Sequence, residues 1–393
     1  MKTKDVIRVF LITITLASCT PAAKVAPTEM ATPTSTFTLI PPTPTITPSP
    51  TPQPVKCDAN QKSTLEAPIN TDIFAANQKL GRTVNLGEAL EFPDQGHWLW
   101  INKEETFYMA KTAGFSAVRI AIDFAQHSDS APHFAIKPYF WKDIDSVVEK
   151  AVSCGLIVII NMHNFRSESQ IPYSQEKYFL ALWSEIAEHY KDYQDNVMYF
   201  EPYNEPGDPS YWNSLIAKVI PTIRKSNPTR PIIIDVADWA QISGFSTLRL
   251  PNDENLIVSF HYYSPNEFTH QCVDFIEGAM AWCGTTWKNT PDQVNKINLD
   301  FGKVAEWATK QKRPIFMGEF GSISIADSES RVRWTTAVRE TVTAYGFSWG
   351  YWDLCDTSGY DGSLTFGIFD CYKHPLDISY WRQEMLQALI PEP

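Results

Sequence analysis

Eight short apolar runs rich in β-branched and aromatic residues recur along this chain, and the stretches between them repeat apolar residues at helical spacing. The runs span residues 83–87, 117–122, 156–163, 197–205, 231–237, 256–263, 314–320 and 348–354. "LIVIINMH" and "PIIIDVA" are nearly unbroken in apolar side chains, as strands covered on both faces are. Segments 103–114, 141–155, 176–193 and 329–346 read as amphipathic helices, three of them closed by Gly. Strand followed by helix, repeated, implies a parallel sheet, because each parallel pairing needs a crossover. Eight such units in about 320 residues fit one α/β domain closed as a (β/α)8, or TIM, barrel. An open doubly wound sheet would show a glycine-rich phosphate loop after its first strand, and no such loop is present.

Residues 1–56 follow a different logic. Lys2, Lys4 and Arg8 precede the apolar run "VFLITITLA", which is too short to span a bilayer and reads as an export signal. That run ends in "LASC", which resembles the lipobox of bacterial lipoproteins and predicts cleavage before a lipidated Cys19. Residues 20–56 are dominated by Pro, Thr, Ser and Ala and read as a disordered tether of up to roughly 110 Å in polyproline II form. The expected organisation is a lipoprotein signal peptide (1–19), a Pro/Thr-rich linker (20–56) and a catalytic barrel (57–393). It predicts an exported, lipid-anchored monomer on a bacterial cell surface or outer envelope, with the membrane reached through Cys19.

The formal net charge is −12, and residues 1–56 hold five basic and two acidic side chains, so the barrel region carries −15. That balance argues against nucleic acid as a partner. Six cysteines follow Cys19. Proximity favours disulfides Cys272–Cys283 and Cys355–Cys371, whereas Cys154, in "AVSCGLIVII", reads better as a small buried hydrophobe. No Cys/His cluster has metal-site spacing, so neither a metal nor another cofactor is expected.

Barrel active sites lie at the C-terminal ends of the strands. Here those ends carry Glu88 and Glu91, Asp123, His163 and Asn164, Asn204 and Glu205, Asp238 and Trp239, His261 and Tyr263, Glu319, and Trp352 and Asp353. Loop capping accounts for one or two such groups but not for a full ring of them. Two carboxylates with aromatic residues, and no Ser/His/Asp motif, point to glycoside hydrolysis. One carboxyl protonates the leaving oxygen while the other attacks the anomeric carbon or activates water. Glu205 and Glu319, on facing strands 4 and 7, are placed to flank one bond. Glu201 and Glu205 are not such a pair, because four strand residues separate them by about 13 Å, beyond the roughly 5–9.5 Å such pairs show.

These residues carry a family resemblance. The pieces are "NLGxALE" (85–91), "AGFSAVRI" (113–120), "VIINMH" (158–163), "FExxNEP" (200–206), "HYYSPxxFTHQ" (261–271), "RPIFMGEFG" (313–321) and "WGYWDLC" (349–355). In this order the chain resembles glycoside hydrolase family 5, the cellulase family of retaining β-glycanases, and especially its bacterial endoglucanases. The resemblance implies that Glu205 is the acid/base and Glu319 the nucleophile. It also implies that Asn204 contacts the sugar 2-hydroxyl, Tyr263 donates to the nucleophile, Arg119 keeps it ionised, and Trp352 stacks under the sugar. His163 and His261 complete the family's set. Glu91, Asn164 and Trp239 join these as candidate substrate contacts. Glu88 stands where such relatives usually have Asn, and Asn164 where a second His is common. "THQ" runs on into "CVDF" instead of Gly-Ala.

Further candidate sugar platforms are Trp98, Trp100, Trp212, Trp282 and Trp287, about half of them expected in the core. Glu201 is expected to pair with Arg119 inside the barrel. The resulting expectation is a retaining endo-β-1,4-glucanase. The alternatives are a mannanase, lichenase or xyloglucanase on the same scaffold, or a noncatalytic glycan-binding lipoprotein, which would not need both glutamates.

Overall fold

A computed structural model describes residue 57 and residues 72–91, 103–166, 170–356, 364–373 and 376–391. The predicted signal peptide, Cys19, the linker, Trp98 and Trp100 lie outside the described residues. The eight predicted runs are all strands: β1 Arg82–Leu90, β2 Ala117–Ile122, β3 Ile157–Met162, β4 Met198–Glu201, β5 Ile232–Asp235, β6 Leu256–His261, β7 Ile315–Phe320 and β8 Ser348–Tyr351. They pair in chain order, and β1 also pairs in parallel with β8, closing the barrel. Every residue of β2 through β8 is buried. This explains why those runs lack a polar alternation.

Nine α-helices are described: α1 Ile73–Leu80, α2 Glu104–Ala113, α3 Pro138–Ser153, α4 Glu176–His189, α5 Pro209–Arg224, α6 Asn266–Thr269, α7 Pro291–Gln311, α8 Ser328–Ala344 and α9 Gln383–Leu389. The four helices read from the sequence are α2, α3, α4 and α8. The β5–β6 connection has no α-helix among the described residues, only a 3-10 turn at Ile242–Ser246. Helix α1 seals the end of the barrel opposite the predicted site. Its Ile73, Ala76 and Leu80, at helical spacing, meet Ala117, Ile157, Ile159, Tyr199, Ile233, Ile257 and Phe316. Asn77 ties the seal to the sheet, donating to the Ile315 carbonyl (2.9 Å) and accepting from Ser348 Oγ (2.7 Å).

Cys272–Cys283 and Cys355–Cys371 are disulfides, as proximity suggested. The reading of Cys154 as a free buried hydrophobe is corrected, for it is bonded to Cys57 across 97 residues of chain. Cys154 is indeed fully buried, at the C-terminal cap of α3. Cys57 reaches it beside α2, where its backbone N–H donates to Glu104 Oε1 (2.9 Å). Sequence spacing carries no trace of that approach.

Candidate active site

The acid glutamate sits where a strand gives way almost at once to a helix. Strand β4 ends at Glu201, and α5 starts at Pro209 with Asp208 as its cap, accepting from the Ser210 and Tyr211 N–H groups. Between them Glu205 takes a left-handed backbone conformation, φ 46°, uncommon for a residue with a side chain. Three contacts hold it there. Its N–H donates to Asp235 Oδ2 (3.0 Å), its carbonyl accepts from Gln170 Nε2 (2.9 Å), and Gln170 Oε1 accepts from the Gly207 N–H (2.7 Å). The turn aims the Glu205 carboxyl into a cleft of about 1680 Å³ that Asn164, Trp239, His261 and Tyr263 also line.

Glu319, near the end of β7, is 5% exposed and more tightly bound. Its Oε1 accepts from Arg119 Nη1 (2.7 Å) and its Oε2 from the Tyr263 hydroxyl (2.9 Å). Oxygens of Glu205 and Glu319 lie within 4.8 Å of one another, with His261 Nδ1 2.7 Å from Glu205 Oε1 and 3.6 Å from Glu319 Oε2. That spacing matches the roughly 5–5.5 Å of a retaining pair and leaves no room for the water of an inverting one.

Their environments differ. Burial raises the Glu319 pKa, but the cations His261 and Arg119 outweigh it and bring the carboxyl down to about 2. Glu205 goes the other way. Burial and the negative charge of Glu319 raise it, although its bond to His261 Nδ1 (2.7 Å) works against them. The two carboxyls are thus pushed in opposite directions, Glu319 toward the ionised form and Glu205 toward the protonated one, the division that acid-assisted nucleophilic attack requires.

Arg119 is the hub beneath them. It is fully buried and spends its donors on Glu201 (Nε and Nη2, 2.7 Å each), Glu319 and Asn85 Oδ1 (Nη1, 2.7 and 2.8 Å) and Asn204 Oδ1 (Nη2, 2.7 Å). Glu201 is fully buried, so it is Arg119's partner and not a cleft residue. With Asn204 Oδ1 occupied, its Nδ2 is left as a donor, 3.3 Å from His163 Nε2. His163 lies nearly parallel to Trp352, ring centroids 5.2 Å apart. Burial pulls its pKa down to about 3, so the ring is neutral; Nδ1–H donates to Asn161 Oδ1 (2.9 Å), and Nε2 is an acceptor.

Glu91 completes this side. It takes the Glu88 N–H (2.6 Å) and the Asn164 amide (3.3 Å), and lies 3.4 Å from His163 Nε2. Burial, helped by Glu88 and Glu319, lifts its carboxyl to about 8. Two glycines make the approaches possible. A Cβ on Gly87 would meet the Trp352 indole at 2.8 Å, and one on Gly318 would meet Ser259 Oγ at 2.8 Å and His261 Nε2 at 2.9 Å. The donor set of Glu205, His261 and Glu319 is close enough to hold a metal. Here His261 Nδ1 bonds Glu205 Oε1 (2.7 Å), and Glu319 and Asp235 raise the imidazole pKa to about 9 against burial.

Arg119, His163, Asn204, Glu205, His261, Tyr263, Glu319 and Trp352, with Glu91 and Asn164, are joined in one set of contacts at this end of the barrel. Trp239 is 44% exposed beside the cleft, whereas Trp212 and Trp287 are core residues and Trp282 packs on a small satellite cluster. Asp123 proves to be a loop cap, accepting from the Gln126 and Arg166 N–H groups. Sequence reasoning passed over Asn85, Asn161, Asp235 and Gln170. The first three are fully buried polar residues within strands, and a polar residue inside an apolar run was the available signal.

A model of the cellulase family, glycosyl hydrolase family 5, matches residues 81–358. Endoglucanase H of Acetivibrio thermocellus is 31% identical over 301 residues, a match covering 76% of this chain and 32% of that longer protein. Thermotoga maritima Cel5A, solved in complex with cellobiose, superposes with a TM-score of 0.74 at 38% identity, covering 81% of this chain and all of the other. The same enzyme solved with mannotriose gives 0.74 at 37% identity, with the same coverage. With its barrel, its strand-end glutamates and this likeness, the chain belongs to glycosyl hydrolase family 5, the cellulase family.

Proposed function

We propose that this protein is a retaining endo-β-1,4-glucanase. The observation that carries the reading is the Glu205–Glu319 pair, with oxygens within 4.8 Å and opposite electrostatic environments. In the first step Glu319 attacks the anomeric carbon while Glu205 gives its proton to the departing glycosidic oxygen. The products are a glycosyl ester on Glu319 and a free chain end. Esterification removes the Glu319 charge, one of the causes that raise the Glu205 pKa. Glu205 then becomes a better-populated base and takes a proton from the water that cleaves the ester. Asn204 Nδ2, oriented by Arg119, is a donor for the 2-hydroxyl, where hydrogen bonds strengthen toward the oxocarbenium-like transition state.

A second reading, a glycanase that also accepts β-mannan, is supported by the mannotriose complex of Thermotoga maritima Cel5A. The segment before the barrel supports export, lipidation at Cys19 and a tether along residues 20–56, with the monomeric catalytic domain held at the cell surface. Unchanged membrane partitioning of Cys19→Ala would remove that part. The activity is tested on soluble β-glucans and β-mannans, with product anomers followed by NMR. Glu319→Gln is expected to abolish turnover of every substrate, and Glu205→Gln to spare the first step for aryl glycosides with good leaving groups. Inverted products, or equal loss in that step for good and poor leaving groups, would contradict the assignment.

A further inference from the structure

Asp235, the last residue of β5, is fully buried. It nonetheless meets the catalytic acid by two routes. Directly, its Oδ2 accepts the Glu205 N–H (3.0 Å) at the one point where β4 turns left-handed to present that side chain. Indirectly, the same oxygen lies 3.6 Å from His261 Nε2, while His261 Nδ1 on the far side of the ring bonds Glu205 Oε1 at 2.7 Å. His261 Nε2 and Asp235 Oδ1 both lack a hydrogen-bond partner, so the 3.6 Å approach of Nε2 to Asp235 Oδ2 is an ion-pair contact rather than a hydrogen bond. The absence of a side chain on Gly318 lets His261 lie this deep.

We propose that Asp235 is a positioning residue for the acid/base, fixing the Glu205 backbone through its N–H and holding the His261 imidazolium against the Glu205 carboxyl. This rests on the reading of Glu205 as acid/base. The other charges around His261 do not substitute for Asp235. Glu205 and Glu319, from β4 and β7, are the reacting groups, and Glu319 loses its charge on forming the ester. Glu201, also on β4, is committed to Arg119 of β2. Arg119 is a like charge, and His163 of β3 is neutral. Among the described residues Asp235 is thus the carboxylate near His261 that is neither a reacting group nor committed to Arg119.

Two full-length variants test this. Asp235→Asn keeps an oxygen for the Glu205 N–H but removes the charge, and Asp235→Ala removes both. The imidazole of His261 is titrated by NMR, and kcat/KM is measured on a cello-oligosaccharide and on an aryl cellobioside with an activated leaving group. In Asp235→Asn the His261 midpoint is expected to fall by about one pH unit or more from its raised value. In Asp235→Ala, kcat/KM on the oligosaccharide is expected to fall roughly 10²-fold while the aryl substrate changes by less than about threefold, because only the first needs full acid assistance. An unchanged His261 midpoint, or equal loss on both substrates, overturns the proposal. Should Asp235→Ala not fold, the same comparison in Asp235→Asn decides. Failure of the underlying reading looks different: Glu205→Ala would then show no leaving-group selectivity and no azide rescue on the aryl substrate.

Discussion

Arg119 serves two carboxylates for different ends, and exchanging its partners should separate stability from catalysis. Glu201 holds it through two 2.7 Å bonds, both side chains being fully inaccessible to water, and Glu319 takes a third. Arg119→Met leaves Glu201 buried without its counterion, and a carboxyl that burial already raises to about 7 must then take up a proton or stay charged, a loss of about 3–5 kcal/mol. Adding Glu201→Met removes the orphaned charge and should recover much of that stability, since a buried pair replaced by apolar groups of similar volume is often neutral. Activity should not recover. Glu319 would keep the His261 cation and Tyr263 but lose the second cation, Arg119, so its pKa rises from about 2. A depressed carboxyl pKa contributes stability above the unfolded-state value and loses it as pH falls through the folded one. Without Arg119 that loss moves to higher pH, and the acid limb of kcat/KM moves with it. The single Glu201→Met variant keeps the Arg119–Glu319 bond and should retain the most activity of the three. Urea unfolding gives one ranking and pH-dependent hydrolysis of an aryl cellobioside the other. Activity restored in the double variant, or a loss under about 1 kcal/mol in Arg119→Met, would refute the reasoning.

Two further outcomes are expected. Replacing the Cys57–Cys154 disulfide by Ser and Ala opens a loop of 97 residues, about 4–5 kcal/mol in the chain-entropy account, and should lower the unfolding midpoint while leaving kcat/KM unchanged. The bond lies at the end of α3, just before β3 begins, away from the catalytic mouth. Glu91, with its carboxyl raised to about 8, favours the native state when protonated, so its contribution is complete below the unfolded pKa and is lost as pH rises through about 8. Glu91→Gln mimics the neutral form at every pH. Denaturant melts should therefore show the variant gaining on the parent between pH 5 and pH 8, and parallel profiles would contradict a neutral Glu91.

The barrel was legible because its evidence is local. Runs such as "LIVIINMH" announce strands covered on both faces, Gly114, Gly155 and Gly346 close helices, and the repeating order leaves few ways to close the sheet. Knowing that barrels react at the C-terminal ends of their strands was then enough to nominate Glu205, Glu319, His163, His261 and Tyr263. Strand rise set Glu201 apart from Glu205, but β4 ends at Glu201 and Glu205 lies in the turn beyond it, so what separates the two is burial of Glu201 on Arg119. What local pattern cannot carry is partnership. Arg119 meets residues 34, 82, 85 and 200 positions away, and Cys57 meets Cys154 across 97. Trp212 and Trp239 look alike as letters, yet one lies in the core and the other beside the cleft. Asp235, passed over within "PIIIDVA", takes on a role only when closure of the sheet brings Glu205 and His261 to it. The sequence by itself determined which residues face the barrel mouth, because side-chain alternation and strand order are properties of short stretches. The resemblance named an acid and a nucleophile, but only the tertiary structure supplied the physical reason for that division, because a pKa is set by burial and by charges that only the closed barrel brings within a few ångströms.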